Sequence, residues 1–67
     1  MKIFGERLKE LRKEKELSAV QLGKILGVRD STVIRWENNT MSPTIENLYN
    51  IAKYFGCTTD YLLGLED

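Results

Sequence analysis

Apolar residues recur along this chain at helical spacing, and no stretch alternates apolar with polar as a strand would. Phe4, Leu8 and Leu11 fall at i, i+4 and i+7 and make one stripe. The opposite face carries Glu6, Glu10, Glu14, Lys9 and Lys13 and is solvated. This first helix is expected to end near Glu16. Ser18 is an N-cap for a second helix through about Leu26, and Gln21 completes a capping box. Gly27 supplies a left-handed turn. A third helix is expected from about Asp30 to Asn38, with Asp30 suiting its dipole. Ser42-Pro43-Thr44 breaks the chain and caps a fourth helix that buries Leu48, Ile51, Ala52 and Phe55. Gly56 ends it. Thr58 caps a short fifth helix, Thr59 to Leu63, which Gly64 terminates. The expectation is an all-α fold, a compact five-helix bundle.

The chain has 67 residues. That is one small domain, of a length that folds alone. One Cys and no His exclude a disulfide framework within one chain and argue against a Cys/His zinc site. No metal and no cofactor are expected. The lone Cys, with no signal-peptide pattern, fits a reducing cytoplasm. The apolar runs are a few residues long, against the roughly 20 that span a membrane.

The net charge is zero and the pI about 6.2, unlike the basic balance of strong nucleic-acid binders. The distribution is uneven. Residues 1–16 carry net +2, residues 17–40 net +1 and residues 41–67 net −3. Such a dipole orients a chain on a polyanion, with a shallow salt dependence.

Leu17 to Asn38, LSAVQLGKILGVRDSTVIRWEN, reads as two short helices joined by a glycine turn. Gly23 is small where the helices cross, and Gly27 permits positive φ in the turn. Leu22, Leu26, Val28, Val33 and Trp36 lock the second helix onto the first. Together these features fit a helix-turn-helix, whose second helix enters the DNA major groove. An arbitrary small helical bundle is the competing reading.

The chain resembles the Cro/phage-repressor type helix-turn-helix family, also called the xenobiotic-response-element family. The resemblance runs from Phe4 to Leu63. It is carried by LKELRKEKELS (residues 8–18), LGVRDSTVIRWEN (26–38), SPTIENLYNIAKYFG (42–56) and TTDYLLG (58–64). It implies a bundle of the lambda-repressor-like DNA-binding type, and a protein that binds a double-stranded DNA operator, mostly as a homodimer and mostly as a repressor.

By position, the resemblance makes the third helix the recognition helix. Asp30, Ser31 and Arg35 match base-reading positions. Arg35 suits a bidentate pair with guanine. Asp30 accepts from a cytosine amino group or repels phosphate at a wrong site. Ser31 and Thr32 reach bases or phosphates. Ser18, with the amides of the second helix, matches a phosphate clamp. Asn38 matches a backbone-contacting position. Arg12 and Glu37 match a structural pair that links the first helix to the end of the third. Trp36 is read as core rather than base-stacking, and Cys57 as a small core residue. Lys9, Lys13 and Lys15 are read as a solvated face, with Lys9 near phosphate.

Several positions depart from the family pattern. Ala19 stands where Gln is frequent. Arg29 replaces a capping Ser and adds a charge near phosphate. Asn39, Thr40 and Met41 replace a glycine and a basic residue, so a loop cation is missing. Weaker nonspecific binding than that of a basic relative is expected. Ile25 and Ile34 stand where polar residues are frequent; Ile34 either touches a thymine methyl or has no role.

Tyr61, Leu62, Leu63 and Leu65 exceed what so short a fifth helix buries; Tyr61, Leu63 and Leu65 are the expected dimer surface, and the competing reading is that Leu62 and one neighbour simply close the core. The alternative function is a protein-interaction module, an antitoxin or antirepressor, with DNA binding weak or lost. An enzyme is not expected: there is no His, no glycine-rich phosphate loop and no base beside Cys57. The ending LLGLED resembles the point where longer repressors continue into a linker and a second domain.

Overall fold

The computed structural model describes residues 2–67. Five helices follow in order: α1 (Lys2–Glu14), α2 (Ala19–Leu26), α3 (Asp30–Glu37), α4 (Ile45–Phe55) and α5 (Thr59–Leu63). No strand occurs among the described residues.

The caps explain the boundaries. Ser18 accepts from the Gln21 amide at 3.1 Å, and the Gln21 side chain accepts from the Ser18 amide at 2.8 Å. Thr44 and Thr58 cap α4 and α5 in the same way, through the amides of Asn47 and Tyr61. Gly27, Gly56 and Gly64 end their helices at φ of 74°, 70° and 81°.

Helix α1 stops two residues earlier than the apolar pattern predicts. Glu16 adopts φ 55°. Its amide donates to the Lys13 carbonyl at 2.9 Å, and the Leu17 amide donates to the Arg12 carbonyl at 3.1 Å. These two bonds close a Schellman turn, a position that favours glycine. A glutamate there is strained, so Glu16→Gly is expected to raise stability by about 1 kcal/mol. Thermal unfolding checks this, through a rise of about 4–8 °C in a domain of this size.

The core joins four helices and the middle of α3. Phe4 and Leu8 of α1, Leu22 of α2, Val33 and Trp36 of α3, Ile51 and Ala52 of α4, and Leu62 of α5 are buried. Leu48 and Phe55, expected inside, lie at the edges of the buried stripe of α4 and are half-buried. Cys57 packs against the core, and burial pushes its thiol pKa up.

Helix α1 crosses α3 at Gly5. A Cβ there would stand 2.6 Å from the Glu37 carbonyl oxygen and 2.7 Å from that of Trp36. The Gly5 amide donates to Asn39 Oδ1 at 3.2 Å. Asn39, at φ 60°, also closes the turn after α3: its amide donates to Trp36 O at 3.1 Å, and the Thr40 amide to Arg35 O at 3.0 Å. One residue thus ends α3 and fastens it to α1.

Candidate nucleic-acid interface

Helices α2 and α3 meet where Gly23 has no side chain. A Cβ at Gly23 would stand 2.6 Å from the Val28 carbonyl oxygen. The close approach lets the chain turn at Gly27 and enter α3 directly. Val33 and Trp36 then face inward, and helical period turns Asp30, Ser31, Ile34 and Arg35 outward. All four are exposed, Arg29 and Asn38 are exposed beside them, and Thr32 is half-buried.

Arg29 makes no side-chain cap, as its chemistry dictates. Among the described residues, no hydrogen bond or ion pair engages the side chains of Arg29, Asp30 or Arg35 within the fold. The outer face of α3 is therefore unspent. Asn38 caps the C-terminus of α3 through its backbone, and its side chain is left outward. Ser18 is exposed; its oxygen accepts from Gln21, which leaves its O–H to donate outward.

The orientation of α3 is fixed from below. Arg12 Nε donates to Glu37 Oε2 at 2.6 Å, and Nη2 donates to Oε1 at 2.9 Å. Arg12 Nη1 reaches the Leu17 carbonyl at 2.9 Å. The side chains are 13% and 4% exposed. The hydrogen bonds that Arg12 donates to Glu37 hold the guanidinium pKa above its ordinary value, against the opposing effect of burial. The fork ties the end of α1, the α1–α2 turn and the last residue of α3 together.

The expected dimer surface is more occupied than its sequence suggests. The Arg7 guanidinium lies 4.2 Å from the Tyr61 ring centroid and donates to the Tyr61 carbonyl and, at 2.6 Å, to that of Glu66. Tyr61 and Leu63 are half-buried, and Leu65 is 74% exposed. Sequence reasoning missed Arg7, whose partners lie more than fifty positions away. It also missed Ile45 and Tyr49, exposed on α4; a count of apolar residues outside the buried stripe would have found them.

Two short helices crossing at a glycine, with the second presenting a polar face supported by a buried ion pair, define a helix-turn-helix domain. The chain belongs to the helix-turn-helix family of the Cro/C1 type, whose model matches residues 8–62. It is 36% identical over 61 residues to the repressor protein C2 of Salmonella phage P22, covering 91% of this chain and 28% of that protein. The chain thus spans less than a third of that relative's length. The solved P22 c2 repressor in complex with a synthetic operator superposes with a TM-score of 0.86 at 34% identity, covering 92% of this chain and 94% of that one. The N-terminal DNA-binding domain of SinR from Bacillus subtilis gives 0.83 at 30% identity, covering 94% and 93%.

Proposed function

We propose that this chain is a sequence-specific DNA-binding transcriptional regulator, most simply a repressor, that occupies a pseudo-palindromic operator as two copies. The observation that carries the reading is the unspent outer face of α3, held in place by the Arg12–Glu37 fork. The operator complex of the P22 relative supports it. In this reading Arg35 pairs with guanine, Asp30 selects against a wrong site, and Ser31, Thr32 and Ile34 complete the reading head. Ser18, Arg29 and Asn38 hold phosphate. The two α3 helices stand about 34 Å apart, one turn of DNA. Leu65, with the edge of Leu63, is free to touch a second copy. The protein acts in the cytoplasm, without metal, cofactor or catalytic role.

Selection of binding sites from random duplex DNA, followed by titration of the selected site, tests this. Arg35→Ala is expected to cost about 1–3 kcal/mol and to relax specificity at one base pair of each half-site. The salt slope is expected to stay shallow, equivalent to about four phosphates per pair of copies. Selection that enriches no sequence, or a variant that binds the selected site as tightly as wild type, would overturn the reading.

A further inference from the structure

A groove of about 430 Å³ opens between the end of α2 and the second half of α4. Ile25, Leu26 and Tyr54 give it apolar walls, and Asn50 and Lys53 supply polar atoms. Its volume falls in the range of ligand-binding clefts, about 300–1,000 Å³. Ile25 is 44% exposed and Tyr54 36%. Single exposed apolar residues are ordinary on a protein surface. Here two of them share one groove with Leu26, which packs on the core. The Tyr54 ring is held edge-on against Phe55, with centroids 5.0 Å apart, so this wall is in place before any occupant arrives. Cations stand at the rim. Lys15 Nζ lies 5.0 Å from the Tyr54 ring centroid, and Lys53 Nζ lies 5.8 Å from that of Tyr49. Among the described residues, neither ammonium meets a carboxylate at ion-pair distance. Glu14 and Glu16 flank Lys15 in the chain but do not pair with it. None of the residues lining the groove is acidic.

We propose that this groove docks an acidic amphipathic segment of a partner protein, with an apolar side chain seated between Ile25 and Tyr54 and carboxylates on Lys15 and Lys53. The charge of the rim selects the occupant. One carboxylate satisfies one ammonium. Two ammoniums from separate elements, the α1–α2 turn and α4, call for a longer occupant that carries several carboxylates around one apolar anchor. A DNA duplex is the poorer fit, because its outer surface is phosphate and offers nothing apolar to fill the groove. Ile25 and Leu26 close α2, about 12 Å from its Ser18 end, so a short occupant leaves that end uncovered. The groove shares no residue with the reading head of α3, and it stands whether or not the operator reading does. An occupant of this size buries little area, so the complex is weak and fast to dissociate.

Selection of random short peptides displayed on phage, against the immobilised whole chain, tests the groove without knowledge of the partner. Enriched peptides are expected to carry a Leu, Ile or aromatic residue flanked by Asp or Glu. A synthetic copy of the enriched peptide is expected to shift the amide NMR signals of Ile25, Leu26, Asn50 and Lys53, and to bind more weakly as salt is added. Lys15→Glu and Lys53→Glu are each expected to weaken it about tenfold. The double variant K15E/K53E is expected to enrich basic peptides in place of acidic ones, a reversal that a merely structural role for either lysine does not produce. Ile25→Ser is expected to weaken the peptide about tenfold and to bind the selected duplex as wild type does. Circular dichroism confirms that these exposed variants fold. A selection that enriches nothing, enriched peptides without carboxylates, signals that shift elsewhere, or charge swaps without effect overturns the groove. So does a single-stranded oligonucleotide that shifts the same signals at lower concentration than the peptide. Loss of duplex affinity by Ile25→Ser as large as its loss of peptide affinity overturns it too, because the variant then acts on α2 as a whole. A chain that binds the acidic peptide but enriches no DNA sequence keeps the groove and loses the operator reading.

Discussion

Glu37→Ala is expected to cost the domain about 3–5 kcal/mol, because it strands the Arg12 guanidinium beside the core without its carboxylate. A 67-residue domain has only about 3–10 kcal/mol of stability in all. The variant should therefore melt some 12–24 °C lower even if the cost is only about 3 kcal/mol. Arg12→Ala should be at least as severe, since the Glu37 side chain it abandons is the more deeply buried of the two. Glu37→Gln should fall between, keeping a hydrogen bond from Arg12 while losing the ion pair. The double variant Arg12→Met/Glu37→Leu should recover most of the loss, because an apolar pair of similar volume leaves no charge to desolvate. Urea denaturation of the four variants checks the series. If the double variant is no more stable than the singles, the pair does not act by mutual desolvation.

The same series separates stability from function. At temperatures where Arg12→Met/Glu37→Leu is folded, the end of α3 is no longer held by a directional fork. Affinity for the selected duplex should fall further than stability does, because the proposed reading head on α3 would tolerate little change in angle. Full retention of affinity would show that the packing of Val33 and Trp36, with the Asn39–Gly5 bond, sets the helix in place without the fork.

How much of this was legible in the sequence follows from the range over which each cause acts. Caps act over three or four residues, and Ser18 with Gln21, Thr58, Gly27, Gly56 and Gly64 all lie where the pattern puts them. The outward phase of Asp30, Ser31, Ile34 and Arg35 is equally local, because it follows from Val33 and Trp36 turning inward. The early stop of α1 was hidden because a glutamate occupies a position that glycine usually advertises. Gly5 reads as a weak helix residue until the end of α3, at Trp36 and Glu37, is seen to press against it from a distant part of the sequence. Arg7 gives no sequence signal at all: what it grips, Tyr61 and Glu66, is decided by how α5 and the tail return to α1. The half-burial of Tyr61 and Leu63 follows from the same return.

Trp36 is the other residue on which the domain should depend. Its ring is buried against Phe4, with centroids 6.5 Å apart in an edge-on arrangement. Trp36→Ala is expected to cost about 3–5 kcal/mol, which consumes most of the margin and leaves the chain largely unfolded. Trp36→Phe is the more informative change. The indole Nε1 is buried and has no hydrogen-bond partner. An unmatched donor in such a place costs about 1–3 kcal/mol, and phenylalanine removes it. The ring it leaves is smaller, so a cavity term opposes the gain. The two effects should nearly offset, with a net loss under about 2 kcal/mol and a folded protein. Circular dichroism in urea gives the measurement, since the variant lacks the chain's one tryptophan. A Phe variant as damaged as the Ala variant would mean that the indole N–H is bonded after all, through a buried water. The indole would then join the Arg12–Glu37 fork and the Asn39–Gly5 bond as a polar support of α3.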